Sequence, residues 1–506
     1  MCVLAFGLAT GEILMSIPSI GLAINWLVEG KFKTKWERIK ELKFTPLFFL
    51  LVYFVHVVWV LFAENKGDAF QDLVLKLPLM CFPVVLGSSK IFNKKEWHTI
   101  MASFVAGLMV SCTVGYWKYF TLDFVDYRDL SVFISHIRLS LMIGVGVLIL
   151  LITILNQKDK RKYWLLIPLI FIAYFVRVLQ SGTGYISLLL AGFIFVWYWV
   201  DKLQQRKYFK LFVAASISGI ALALLGVFLA FKSVTHVQDT ADKSNLELTT
   251  AHGGNYIHHK ESQLLDNGYY LWLYVCPPEA KKAWQERSNI SFDSLDAKGQ
   301  KLYGTLYRYT TSKGLRKDYD GIMALTDEDV LKIEQGIVSS VPKKYGVTAR
   351  VKEIIYEVLT YRENVDPNGH SLIQRMYYLD AGINLFQANP FLGTTKGDES
   401  AAYHQYYADH NSLLKPDNQL RAHNQFLSFF VCFGVIGGML ILIGIIYPIV
   451  ALKKHLYTLA FIGFGSLSFL TDDVLDTQAG VTFVAFFFCF FLFSTTQDHY
   501  SKSISS

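Results

Sequence analysis

Apolar runs near the roughly 20 residues an α-helix needs to cross ~30 Å of hydrocarbon recur along this 506-residue chain, and they leave it few ways to fold. They are read at residues 46–63, 73–86, 99–119, 132–155, 163–176, 183–200, 209–231, 425–452, 457–470 and 480–493. A further stretch, 3–28, is interrupted by Glu12 and Pro18, so it counts as one span or as two short ones hinged near Pro18. The expected fold class is an all-α polytopic membrane protein with about 11–12 transmembrane helices, in keeping with a hydrophobic share of 53%. The start of the chain lacks basic residues and runs into a Lys-rich loop, which does not read as a cleavable secretory signal.

One polar segment breaks the pattern. From Lys232 to Arg421 it runs for roughly 190 residues, far more than a helical connection requires, and so reads as a functional lid or small domain. The expected organisation is residues 1–231 as N-terminal membrane helices, 232–421 as one large loop, and 422–506 as C-terminal helices with a short cytoplasmic tail. Apolar residues at helical spacing in 327–337, 349–359 and 374–387 predict a mainly helical loop. Asn389-Pro390 stops the last of these, and Gly393, Gly397 and Pro416 mark a turn-rich return to the bilayer.

Lys and Arg near span ends are retained in the cytoplasm. They fill alternate loops: Lys31 to Lys43; Lys90, Lys94 and Lys95; Lys158 to Lys162; Lys202 to Lys210; and Lys453 with Lys454. The intervening loops, the large one included, are acidic or neutral. The large loop is therefore expected to face outward, into the periplasm of a Gram-negative cell, with the chain in the inner membrane. The net charge of +7 belongs mostly to cytoplasmic loops beside anionic lipid, and a nucleic-acid partner has no support. Of six cysteines only Cys276 lies in the large loop, so that loop must fold without an internal disulfide.

Convergent polar groups gather at the loop's edges. Arg375 begins one amphipathic helix, Arg421 and His423 stand at the start of the returning span, and Asn424 and Gln425 follow. Singly, each has a plain reading as a side chain snorkelling to headgroups; as a set they point to a catalytic centre. Lys76 lies inside a short apolar segment, His136 and Arg138 open another, and Arg177 ends a third. Ionisable groups at such depth are costly and tend to line polar cavities. His252, His258, His259, His404 and His410 show no metal-ligand spacing, and no metal or cofactor is expected. Asp318-Tyr319-Asp320 and Asp327-Glu328-Asp329 resemble ion-holding acidic triplets but fit helix starts better. There is no Gly-x-Ser-x-Gly elbow and no Walker loop.

The segment Arg375 to Asp398, with Asn389-Pro390, Gly393 and Gly397, resembles the Arg-containing helix, Asn-Pro and Gly-rich turn of the O-antigen ligase and polymerase superfamily. His423-Asn424-Gln425 followed by Gly434 and Gly437 resembles the same family's motif at the next span, and Leu470 to Gly480 is similar to the last outer loop of its Bacteroidetes-type ligase members. The resemblance implies a glycosyltransferase that moves a glycan from undecaprenyl pyrophosphate to lipid A–core oligosaccharide or another glycan acceptor. Variants on the same donor chemistry are a repeat-unit polymerase and a protein O-oligosaccharyltransferase; a lipid-linked glycan exporter is the non-enzyme alternative. On this reading His423 serves as base and Arg375 binds donor pyrophosphate. Arg138, Arg177 or Arg421 assists, Lys76 makes a weaker contact, and Asn424 and Gln425 orient substrate. The chain departs from the family at Ser181-Gly182-Thr183-Gly184, where members often carry Ser-Arg-Thr-Gly, and at His136-Ile-Arg138-Leu in place of a His-Pro-x-Tyr-like pattern. The second cation therefore stays open.

Overall fold

The computed structural model describes residues 1–122, 127–203, 206–238, 242–341, 347–364, 366–368, 370–452 and 456–494. Lys453, Lys454 and the tail after residue 494 lie outside the described residues. Two compact units form, one of Met1–Val213 with Gln374–Ser506 and one of Ala214–Ile373. In chain order the helices are α1 (Cys2–Thr10), α2 (Glu12–Glu29), α3 (Phe32–Glu41), α4 (Thr45–Trp59), α5 (Lys66–Leu75), α6 (Leu77–Ser88), α7 (Lys94–Thr121), α8 (His136–Asn156), α9 (Leu166–Leu179), α10 (Gly182–Leu203) and α11 (Arg206–Val234). Then come α12 (Pro277–Arg287), α13 (Leu302–Ser312), α14 (Tyr319–Met323), α15 (Asp327–Glu334) and α16 (Val347–Asn364), followed by α17 (Ser371–Ala388), α18 (Glu399–Asp409), α19 (Gln425–Ala451), α20 (Leu456–Thr471) and α21 (Gln478–Phe493).

The chain is an all-α polytopic membrane protein. Among the described residues, eight spans are long and apolar enough to cross a bilayer, and α3 with α4, bent by 97°, make a ninth if counted together. The sequence expects 11–12; α20 and α21, of 16 residues each, are shorter than a full crossing. The N-terminal hinge falls at Gly11, not near Pro18. At φ 140 Gly11 occupies backbone space that side chains exclude, whereas Pro18 sits inside α2 and removes one helical hydrogen bond without breaking the helix.

Helices in hydrocarbon associate through close packing rather than water exclusion. Accordingly α1 lies so near α7 that a Cβ on Gly107 would stand 2.2 Å from the Phe6 carbonyl oxygen. Ser187 on α10 donates to the Ser140 carbonyl of α8 at 2.9 Å. Helix α21 is buried along nearly its whole length, with Phe486 stacked on Phe490 and Phe487 on Phe491. Helices α2 and α11 instead leave their apolar side chains exposed, the pattern of lipid-facing spans.

The Ala214–Ile373 unit has its own core, built on Trp284, Leu302, Leu306, Tyr309, Ile322 and Ile333. Besides helices it contains a hairpin pairing Leu265 with Tyr270 and Asp266 with Tyr269. Asn267-Gly268 makes its turn at φ 49 and 83, the residue pair such a turn favours. The acidic triplets sit at helix starts. Asp318 accepts the Gly321 N–H, and Thr326 with Asp329 forms a capping box on α15.

Candidate active site

The local backbone of the site is set by a kink in α19. At Gly434 (φ 59, ψ −167) the helix breaks step, which releases carbonyls that would otherwise bond along it. The turn after α17 takes them up: Thr394 N–H donates to the Val431 carbonyl at 2.8 Å and Thr395 N–H to the Cys432 carbonyl at 2.9 Å. Val435 N–H in turn reaches the Pro390 carbonyl at 2.7 Å. A Cβ on Gly434 would lie 2.2 Å from the Phe391 backbone. The Asn-Pro and Gly-rich turn is thereby clamped to the returning span. Its far end is held by Asp398, which accepts the backbone N–H groups of Glu64 at 2.9 Å and Asn65 at 2.8 Å.

Clamping the turn delivers Lys396 and Glu399 to a buried charge cluster centred on Asp476, in the short loop between α20 and α21. Asp476 accepts from Lys396 Nζ at 2.7 Å, Arg421 Nη1 at 2.7 Å and Lys76 Nζ at 3.3 Å. Glu399 also binds Lys396 at 2.6 Å and Arg421 at 3.1 Å, and Asp72 pairs with Lys76. Burial alone would raise the Asp476 carboxyl, but the three cations hold it well below the usual carboxylate range. Burial would likewise lower the Lys396 ammonium, and Asp476 with Glu399 holds it raised.

A second group adjoins it through the same loop. Arg138 Nη2 binds Asp472 Oδ2 at 3.1 Å, and His423 Nδ1 lies 3.4 Å from Asp472 Oδ1. The His423 backbone N–H donates to Asp473 Oδ2 at 3.0 Å, and Ser428 Oγ donates to Asp473 Oδ1 at 2.6 Å. His423 has φ 48, a left-handed conformation uncommon for a side-chain-bearing residue; strain of this kind concentrates at functional sites. Arg375 Nη1 donates to the Thr471 carbonyl at 2.9 Å. Burial would raise Asp472, yet the His423 hydrogen bond and the Arg138 charge hold it low; Asp473 is raised, by burial and then by Asp476 and Glu399.

Arg375, Arg138, Arg421 and His423 are thus all tied to residues 471–476. Asn424 caps α19 by accepting the Leu427 N–H at 3.1 Å, and Gln425 Oε1 accepts the Leu475 N–H at 2.8 Å, so both side-chain oxygens are engaged in holding the backbone. Lys76 is 1% exposed and locked between Asp72 and Asp476. Arg177 stands exposed in the last turn of α9, its charge acting on Tyr185, and is not drawn into the cluster. Lys396, Glu399 and the three aspartates are not among the site residues expected from the sequence, although Asp472, Asp473 and Asp476 lie in the Leu470 to Gly480 motif. Three carboxylates in the six-residue loop between two apolar helices are the available signal.

The arginines are not saturated. Arg138 Nε is buried with no hydrogen-bond partner, and Arg421 holds both carboxylates through Nη1 alone. Arg421 and His423 border a cavity of about 220 Å³ lined also by Ser400, Tyr403, His404 and Gln419. Tyr378 sets its ring 5.5 Å from that of His423. Among the described residues no three His, Cys, Asp or Glu side chains are gathered to hold a metal ion. The arrangement can bind an anion with arginine N–H groups beside an imidazole that has a carboxylate at its other nitrogen.

A search of curated proteins finds no match. Residues 335–442 match the family model described as O-Antigen ligase; this stretch carries Arg375, Lys396, Glu399, Arg421 and His423, whereas Lys76, Arg138 and the three aspartates lie outside it. Over residues 335–442, and with its multiple helices long and apolar enough to span a membrane, the chain is similar to the O-antigen ligase-like superfamily.

Proposed function

We propose that the chain is a glycosyltransferase of O-antigen ligase type in the bacterial inner membrane. It transfers a glycan from undecaprenyl pyrophosphate to lipid A–core oligosaccharide on the periplasmic side. The observation that carries this reading is the convergence of three arginines and His423 on residues 471–476. Loop charge supports the orientation: on the outer side there is no nucleotide sugar, so the donor arrives activated, and pyrophosphate is the activating group.

In this mechanism the acceptor hydroxyl oxygen attacks the anomeric carbon while the bond from that carbon to the pyrophosphate oxygen breaks. Arg375, with Arg138 and Arg421, receives the charge that builds on the leaving pyrophosphate, since guanidinium stays protonated and binds phosphate through paired N–H groups. Asp472 at Nδ1 holds His423 in the tautomer that leaves Nε2 free to take the hydroxyl proton. Lys76 and Lys396 set the charge and position of Asp476 rather than touching donor. Arg177 is the weakest of the proposed donor contacts. Asn424 and Gln425 act by fixing the start of α19. One-step displacement inverts the anomeric configuration, and a retained product would refute it.

The test is a lipopolysaccharide gel from a strain lacking the gene, complemented with wild type, Arg375→Ala or His423→Ala at equal membrane abundance. Loss of the whole ladder with accumulated full-length lipid-linked glycan is expected. A single-repeat band would instead mean a polymerase, and an unchanged profile would point to protein glycosylation or, with His423→Ala fully active, to transport.

A further inference from the structure

The Ala214–Ile373 unit contains a cleft of about 570 Å³ that the proposed chemistry does not use. Its size falls in the range of ligand sites, roughly 300–1,000 Å³. The cleft is built by the segment 247–256 facing the start of α14. Arg316 crosses it, held by both oxygens of Glu247 at 2.6 and 2.8 Å and lying over the Tyr274 ring at 4.3 Å. Tyr256 donates to Asp318, whose other oxygen takes the Gly321 N–H at 2.8 Å. Thr250 donates to Glu279, and His252 Nε2 stands 2.9 Å from Asp320 Oδ1 with its ring 5.0 Å from that of Tyr319.

Three features narrow the ligand. The wall carries carboxylates of Glu247, Asp318 and Asp320 against the single cation Arg316, so it repels phosphate and pyrophosphate. Polar groups outnumber apolar ones, so it does not suit a lipid tail. The unengaged oxygen of Asp320, the Thr249 hydroxyl and the Tyr256 ring match the hydroxyls and C–H faces of a sugar. Asp320 is exposed and bound only at one oxygen by His252, leaving the other for a ligand.

We propose that this cleft binds an uncharged oligosaccharide segment of the glycan being transferred or of its acceptor. The inference rests on the glycan-transfer reading and adds a second sugar site in the Ala214–Ile373 unit.

The experiment uses the full chain in lipid nanodiscs and, as probe, neutral oligosaccharides released by mild acid from the host's own surface polysaccharide and size-fractionated. Saturation-transfer NMR should show binding to wild type and to His423→Ala alike. Affinity should fall at least about tenfold in Asp320→Ala and in Thr249→Phe, which fills the cleft from an exposed position. In a transfer assay the two cleft variants should raise KM for the glycan with little change in kcat. Equal binding by wild type and both cleft variants, or binding by phosphorylated fragments alone, overturns the proposal. The outcomes separate from those of the active site: full transfer by His423→Ala refutes the catalytic reading whatever the cleft binds. Cleft variants indistinguishable from wild type, with His423→Ala inactive, refute only the cleft.

Discussion

Ion pairs in the two units use the same side chains to opposite effect. In the Ala214–Ile373 unit most lie on the surface: Asp327, paired with Arg287, is 99% exposed, and Lys332 with Glu328 is open to water. Around Asp476 the carboxylates and Lys76 are sealed, with side-chain exposures of 4% for Asp476, 2% for Glu399 and 1% for Lys76, and only Arg421 reaches out to the cavity. Surface pairs are screened and add little. Buried ones need not add net stability either, but removing one member strands the others without water, which is strongly destabilising. The Asp476 cluster therefore works by positioning: its buried carboxylates hold Lys396 and Arg421 at fixed points, and Arg421 borders the same cavity as His423.

Substitutions test this contrast. The largest effect expected is on turnover: His423→Ala should slow transfer by roughly 10²–10⁴-fold while leaving detergent melting unchanged, and a parallel loss of both would make His423 a structural residue. Next is Asp476→Ala, which should cost about 3–5 kcal/mol by removing the carboxylate that three cations share and leaving them only Asp72 and Glu399; a melting temperature equal to wild type would dissolve the contrast. Gly434→Ala should destabilise by at least about 1–3 kcal/mol, because its φ of 59 and the Phe391 backbone leave no room for a methyl group.

Acid should act on both units. Burial alone would raise Asp398, but the Asn65 N–H, the Thr395 hydroxyl and the Glu64 N–H hold it below its ordinary value; in Asp329 burial is likewise outweighed, chiefly by Lys313 and Tyr309. Carboxylates depressed on folding contribute stability that is complete above their unfolded value of ~4 and is lost as pH falls through the folded one. Melting should therefore hold from pH 7 to about 5 and decline below 4, less steeply in Asp398→Asn. The smallest effect belongs to Glu328→Gln, where no change in melting is expected; a clear drop would show that the exposed pairs matter as the buried ones do.

Much of this protein was legible in its sequence. Spans declare themselves through local hydropathy, since hydrocarbon demands a continuous apolar helix. Helices α15, α16 and α17 declare themselves through apolar spacing, and Arg375, Arg421 and His423 through their place at the edges of the large loop. Pro18 misled because a proline's cost inside a helix is local, whereas the actual break depended on Gly11 alone among the neighbouring residues reaching φ 140. Asn267-Gly268 carried a hairpin signal that the prevailing helical pattern obscured.

Which charges meet follows from the packing of the helices. Lys76 and Asp476 are 400 positions apart, and Arg138 and Asp472 are 334; no period or spacing in a single sequence relates them. Composition and order along the chain determined that helices would form and where charge would collect, because those depend on neighbours within a turn or a span. Partner choice, and with it the division between cations that are spent and arginines that keep free N–H groups, follows from helix packing, which brings distant loops together at one end of the bundle.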